Sequence, residues 1–131
     1  MCTKDALYYQ NTLLADEVSD AKGLLGAILR KSFKLDKQLA MIDDMFEKSK
    51  ETTKEKVYVN GAGMPAKWLR EHDAYTSEDY AEILKRYGKP VLAITGKADF
   101  QAEFHKLDAL SGEKHITCFA PEKTDAYLKM L

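Results

Sequence analysis

A continuous apolar run, Val91 to Thr95, constrains the fold more than any other segment of the chain. Its sequence, VLAIT, has no alternation of polar and apolar residues, and Gly96 follows it directly. Such a run is typical of a β-strand covered on both faces, which is the usual position of strands in parallel sheets. The run therefore predicts an α/β layer in the second half of the chain.

The segment before this strand predicts a helix with signals at both ends. The signals are a capping Thr76 or Ser77, the acidic Glu78 and Asp79, the basic Lys85 and Arg86, the terminating Gly88, and Pro90 just beyond it. Acidic residues in the first turn and basic residues in the last favour the helix dipole. The spacing of Tyr80, Ile83, Leu84 and Tyr87 predicts a face that packs against a sheet.

Beyond the strand, the pattern predicts a helix over 100–112, a short strand over 115–119 and a closing helix over 121–131. Helix, buried strand, helix, strand and helix is the order of a parallel α/β layer. Two short strands rarely form a stable sheet alone, and an open strand edge can recruit another chain. We therefore expect either a partner that completes the sheet or a core formed mainly by helices.

The sequence of the first half of the chain predicts three helices. The first covers residues 4–18, and the second begins near Asp20 and contains glycines that suggest close helix contact. The third is amphipathic, with an apolar face of Leu35, Leu39, Ile42, Met45 and Phe46. Residues 48–56 are nearly all polar, so we expect a helix end or exposed connection without a role in the core. The predicted organisation is a helical region over 1–56 and an α/β region over 57–131, within one compact unit. Val57 to Val59 fit a strand or a loop equally well.

Charge and composition favour a cytoplasmic protein with protein or small-molecule partners. The 131 residues include 20 basic and 21 acidic ones, and the formal charge of −1 gives no general reason to bind nucleic acid or an anionic membrane. No apolar run approaches the roughly 18 residues that span a bilayer, and the N-terminus lacks the pattern of a secretory signal. Cys2 and Cys118 are expected to be reduced thiols rather than a disulfide.

Residues 89–101, KPVLAITGKADFQ, resemble the late strand and loop of α/β-hydrolases, in which an apolar strand leads into Gly-x-x-Asp. Gly96 and Asp99 occupy those two positions. Outside this motif, residues 4–87 resemble the helical cap of the family, and residues 116–128 resemble its final strand and the loop to its last helix. The resemblance implies a partial α/β-hydrolase fold: a helical cap-like segment followed by a small, mainly parallel sheet flanked by helices.

The resemblance also implies a role for Asp99 as the acid of a Ser-Asp-His triad. Loops at the carboxyl ends of parallel strands converge, so an acid after one strand can orient a histidine after the next. A structural alternative is that Asp99 caps a helix beginning near Phe100, and the two roles are compatible. The chain departs from the family at two points: Ala126 occupies the histidine place, and no Gly-x-Ser-x-Gly motif occurs.

Other polar residues form weaker candidate sites. His72 lies between Glu71 and Asp73, but adjacent helix residues point in different directions, so we expect a solvated or structural histidine. His105 and Asp108 are spaced to form a surface pair. A triad of Ser111, His115 and Asp99 is conceivable, although nothing in the spacing requires contact. No cofactor and no metal are expected.

Two functional hypotheses follow. The first is that the chain is the C-terminal part of a carboxylester or acyl hydrolase, arising from a split gene or deliberate truncation, and inactive alone. Its expected partners are a second copy or a complementary N-terminal half, and a small apolar ester or acyl compound is its expected ligand. The second is a non-enzymatic binding or assembly module on a hydrolase-derived scaffold.

Overall fold

The computed structural model describes residues 3–59 and 61–122. The helices within these ranges are α1 (Thr3–Asp20), α2 (Gly23–Ser32), α3 (Leu35–Glu51), α4 (Ala66–Asp73), α5 (Ser77–Tyr87) and a 3₁₀ helix (Phe104–Leu110). The strands there are β1 (Lys56–Val59), β2 (Ala62–Pro65), β3 (Val91–Ile94) and β4 (Ile116–Phe119). These helices and two small sheets agree with the predicted α/β class at this coarse level.

The chain divides into two compact units. We call residues 10–74 the helical unit, and Met1–Tyr9 with Tyr75–Leu131 the parallel-sheet unit. Helix α1 begins in the parallel-sheet unit and ends in the helical unit. The boundary expected between residues 56 and 57 falls inside the helical unit.

The core of the helical unit forms around α3. The buried side chains Ile42, Met45 and Phe46 follow the spacing that predicted an amphipathic helix. Val57 of β1 and Leu69 of α4 are also buried, and both elements contact α3. The predicted helix end within residues 48–56 is confirmed at Glu51. The expectation that this segment stays out of the core is wrong at Ser49, which is completely buried.

Strands β1 and β2 form an antiparallel hairpin that settles the open question about Val57 to Val59. Val59 pairs with Ala62, so a two-residue connection joins the strands. Asn-Gly occupies that connection in the sequence, and Gly61 has a φ of 82°. Asn-Gly favours tight hairpin turns because both residues tolerate positive φ. One of the two sheets is therefore antiparallel, whereas the sequence predicted a mainly parallel arrangement.

Gly26 of α2 packs against the chain just before its own helix. A Cβ at position 26 would lie 2.3 Å from the carbonyl oxygen of Ala21. The guanidinium of Arg30 donates to the same oxygen. This close approach explains the glycine at position 26, and the contact between helices that the glycines suggested stays a prediction.

The parallel-sheet unit contains the predicted parallel pair of strands. Val91 of β3 pairs with Ile116 of β4, and Ile94 pairs with Phe119. Helix α5 precedes this pair with the predicted ends: the Thr76 hydroxyl accepts from the Asp79 amide, and Gly88 adopts a φ of 69°. The helix predicted over 100–112 is instead a 3₁₀ helix that begins only at Phe104. A turn at Asp99 occupies the preceding residues.

The expectation that β3 is covered on both faces is wrong for the part of the chain that the structure describes. Leu92 is 64% exposed, and the neighbouring Ile94 and Phe119 are also exposed. Ala93 and Ile94 line a cavity together with α5 and the 3₁₀ helix, whereas Leu92 is left largely uncovered by the described residues. Nearly all of the predicted closing helix lies outside the described residues. Among the helices that are described, none is both long and apolar enough to cross a membrane.

Candidate functional site

The loop that leaves the carboxyl end of β3 folds into a turn around Asp99. We call residues 96–99 the acid loop. The amide of Asp99 donates to the carbonyl of Gly96 at 3.1 Å. The Oδ1 atom of Asp99 accepts from the amides of Gln101 at 2.7 Å and Ala102 at 3.2 Å. The carboxylate therefore stabilises a turn. The structural alternative, in which Asp99 caps a helix beginning near Phe100, is wrong, because the next helix begins at Phe104.

The second carboxylate oxygen of Asp99, Oδ2, does not accept either hydrogen bond of this turn. Within residues 3–59 and 61–122, the two hydrogen bonds to the Asp99 side chain both end on Oδ1. The residue as a whole is 9% exposed. A buried carboxylate with one fixed and one uncommitted oxygen is positioned to accept a hydrogen bond from an added donor.

The acid loop lies beside the loop that follows β4. The amide of Thr95 donates to Phe119 at 3.1 Å, and the amide of Lys97 donates to Pro121 at 2.9 Å. The ammonium of Lys97 also pairs with the carboxylate of Glu122. Strand pairing thus continues past Ile94 and holds the two carboxyl-terminal loops together. These are the two loops in which the resemblance expects the acid and the histidine.

Tyr9 is a neighbour of this site that the sequence did not reveal. Burial raises the pKa of the Tyr9 phenol, and the negative charges of Glu103 and Asp99 raise it further. The neutral phenol is therefore the favoured form beside these carboxylates. No local motif marks Tyr9, because the electrostatic interaction joins residues about ninety positions apart in the chain.

Two cavities lie near the parallel strands. A cleft of about 410 Å³ extends from Lys97 to the far end of the 3₁₀ helix and includes Cys118, an exposed free thiol. A second cavity, of about 250 Å³, lies between α5, the 3₁₀ helix and β3. Asp99 lines neither cavity. Among the described residues, the candidate catalytic carboxylate and these two cavities therefore do not form a single site.

Polar residues near the second cavity form a cluster that the sequence did not predict. Ser77 is buried, and its hydroxyl donates to the carboxylate of Asp5. The ammonium of Lys106 lies 3.9 Å from the same carboxylate. A serine bonded to an acid without an intervening base is not activated, because proton removal from serine requires a general base such as histidine. This cluster is a structural link between α1 and α5.

His72 and its neighbours have separate partners. Its Nδ1 atom lies 2.8 Å from the carbonyl of Trp68, and its ring stacks on that indole. Glu71 pairs with Lys67, and Asp73 pairs with Lys50. The prediction of a structural histidine is confirmed. Among the described residues, no three His, Cys, Asp or Glu side chains are grouped to hold a metal ion.

The two remaining histidines also have defined environments. His105 lies 3.7 Å from Asp108 on the surface, as predicted. The Nε2 atom of His115 lies 3.2 Å from the carbonyl of Leu84, whereas the Asp99 carboxylate bonds its own turn. No hydrogen bond joins Ser111, His115 and Asp99 within the described ranges, so the structure gives no support to that triad.

Ala126, at the histidine place of the resemblance, lies outside the described residues. No family model, curated protein or solved structure matches the chain.

Proposed function

We propose that the chain is the acid-bearing, C-terminal part of an α/β-hydrolase acting on carboxylesters or related acyl compounds. In this proposal Asp99 is the triad acid of a site whose nucleophile lies on another polypeptide, and Ala126 stands where the histidine that Asp99 would orient is expected. The observation that supports it is the position of Asp99: it follows a parallel strand, one of its oxygens is fixed by two amides, and its loop is paired with the loop after the next strand.

The chain alone is expected to be inactive. A triad acid accelerates the reaction only through the histidine that it orients, and that histidine must remove the serine proton. Ala126 stands at the histidine place, and the sequence has no Gly-x-Ser-x-Gly nucleophile motif. The amide donors that stabilise the oxyanion lie near that motif in the family, so the groups with the largest rate effects are all missing.

The open side of β3 indicates how a complementary half would bind. Val91 and Thr95 direct their amides towards β4, so alternation directs the amides and carbonyls of Leu92 and Ile94 to the other edge. That edge has no paired strand within the described chain. A parallel strand added there would satisfy these groups and extend the sheet towards the position of the missing nucleophile.

The test begins with the DNA immediately upstream of the codon for Met1. A frame there that encodes Gly-x-Ser-x-Gly would be co-expressed with the chain, and p-nitrophenyl butyrate hydrolysis would be measured on the purified complex. We expect a complex with little activity, because Ala126 cannot act as a base. Ala126→His should raise the rate by roughly 100-fold or more, and Asp99→Asn in that background should remove most of the gain.

Two matched variants make this test specific. Asp108→Asn removes an exposed carboxylate elsewhere and should leave the gained activity unchanged. Leu92→Pro removes an amide from the open edge but none from the β3–β4 ladder, so it should prevent complex formation without unfolding the unit. A complex that stays inactive with Ala126→His, or an upstream frame without the motif, would contradict the proposal and favour the binding module. Esterase activity of the chain alone would contradict the expected inactivity.

A further inference from the structure

Helix α2 presents its apolar side chains to solvent. Leu24 is 81% exposed, Leu25 68%, Ile28 52% and Leu29 40%. Leu24 and Ile28 are four residues apart, as are Leu25 and Leu29, so the four side chains form one stripe along the helix. An exposed stripe of this kind on a soluble surface indicates an interaction site.

The contacts of α2 with the segment just before it lie on a different side of the helix. Buried Gly26 and the Arg30 guanidinium both lie against the carbonyl of Ala21. On a helical projection, positions 26 and 30 lie opposite the centre of the apolar stripe. The apolar stripe therefore faces away from these contacts.

Unpaired charges flank the stripe with opposite signs at its two ends. Asp16, Glu17 and Asp20 lie at the end of α1, just before α2, and all three are exposed. Lys22 directly precedes α2, so this end carries a net charge of −2, whereas Lys31 and Lys34 lie at the other end. None of these six residues forms an ion pair within the part of the chain that the structure describes.

This charge arrangement distinguishes between two binding partners for the apolar stripe, an anionic lipid surface and a second copy of the chain. Residues 16–34 contain four basic and three acidic side chains, a net charge of +1, which is a weak attraction for an anionic lipid surface. An antiparallel second copy instead places the lysine end of one helix beside the acidic end of the other. We propose that α2 pairs antiparallel with α2 of a second copy, forming a two-fold symmetric homodimer. This interface is separate from the open edge of β3 and does not depend on the proposed function.

The interface is small, so the dimer should be weak. Four apolar side chains from each copy are far fewer than the roughly 20–30 residues per side of a standard interface. We expect association in the micromolar range that weakens as salt concentration rises, because the flanking charges are exposed and are screened within about 10 Å at 0.1 M salt.

Sedimentation equilibrium of the full chain tests the proposal with a matched pair of variants. Leu25→Ser should raise the dimer dissociation constant at least tenfold, whereas Leu92→Ser, which alters a side chain of similar exposure on β3, should leave it unchanged. Circular dichroism checks that both remain folded. A monomeric wild type at about 100 µM, or a dimer broken only by Leu92→Ser, overturns the proposal.

A charge exchange tests the antiparallel orientation. Asp20→Lys and Lys31→Glu should each weaken the dimer several-fold, and the double variant should regain most of the wild-type affinity, because each new charge meets its complement across the two-fold axis. Two weakened single variants without recovery in the double variant would contradict this orientation. Binding of a monomeric wild type to phosphatidylglycerol vesicles, lost in Leu25→Ser, would assign the stripe to lipid instead.

Discussion

The guanidinium of Arg70 donates a hydrogen bond of 2.6 Å to the carbonyl oxygen of Ser49. Ser49 lies in the last turn of α3, and its own hydroxyl donates to the carbonyl of Phe46 at 2.6 Å. The last carbonyls of a helix have no partner within the helix, and a cation there also favours the helix dipole. One side chain of α4 therefore completes the end of the central helix of its unit.

Replacing this guanidinium should destabilise the helical unit. Arg70→Met keeps an aliphatic stem but removes the donor, so we expect a loss of about 1–2 kcal/mol in the free energy of unfolding. Urea denaturation followed by far-ultraviolet circular dichroism measures it. Lys67→Met on the same helix removes an exposed cation and should change stability by less than about 0.5 kcal/mol. Equal effects of both substitutions would argue against the role of the Ser49 carbonyl.

Gly26→Ala should be destabilising, although alanine is normally the better helix residue. Helix propensity alone predicts a gain of about 1 kcal/mol. The new Cβ would lie 2.3 Å from the Ala21 oxygen, so backbone must move, at a cost of about 1–3 kcal/mol. We expect Gly26→Ala to unfold at a lower midpoint concentration of urea than the wild type, whereas Ser32→Ala in the same helix should not lower this midpoint. An increase in the midpoint for Gly26→Ala would contradict the close approach to Ala21.

The capping box of α5 should make stability depend on pH in the acid range. The Thr76 amide and hydroxyl both donate to Asp79, and these bonds lower the pKa of its carboxyl from the ordinary 3.8. Because the pKa of this carboxyl is lower in the folded state, its contribution to the free energy of unfolding is complete above the pKa of the unfolded state. That contribution is lost as the pH falls through the pKa of the folded state. Asp79→Asn should flatten this part of a stability profile recorded between about pH 5 and pH 2. An unchanged profile would contradict the assignment.

The substitutions Asp99→Asn and Asp99→Ala should differ in their effect on stability, because only asparagine can maintain the turn. Asparagine retains an oxygen that can accept from the amides of Gln101 and Ala102, so Asp99→Asn should stay within about 0.5 kcal/mol of the wild type. Asp99→Ala leaves both amides without their partner and should cost about 1–2 kcal/mol. Thermal unfolding of the two variants checks the difference. Equal losses would mean that charge, rather than the turn, accounts for the contribution of Asp99.

The sequence predicted α3 and the two ends of α5 well because their signals are local, whereas the α5 face that was expected to pack against a sheet is exposed at Tyr80, Ile83 and Tyr87. The apolar spacing that ends at Phe46 corresponds to a buried face, and Thr76 and Gly88 mark ends that depend on a few adjacent residues. The hairpin was missed, although the Asn-Gly pair before Ala62 was a usable signal. The burial of Ser49 could not be predicted, because it arises from tertiary packing, in which α4 contacts α3 and Arg70 donates to the Ser49 carbonyl from 21 positions away.

The candidate site was only partly predictable for the same physical reason. Asp99 could be assigned to a loop after a strand, and its role in a turn follows from the preference of aspartate for amide donors two and three residues ahead. The link between Lys97 and Pro121 depends on strand register, which an isolated sequence does not specify. The electrostatic effect of Asp99 on Tyr9 likewise joins residues distant in sequence.

The edge of β3 that has no paired strand within the described residues also bears on how the protein behaves at high concentration. The strand has four consecutive apolar residues, and Leu92 and Ile94 direct their amides and carbonyls to that edge, so it is a template for stacking identical strands into fibrils. Lys89 and Lys97 flank the strand, and closely repeated positive charges oppose such stacking. Neutralising both lysines should therefore promote aggregation even where the folded state is equally stable.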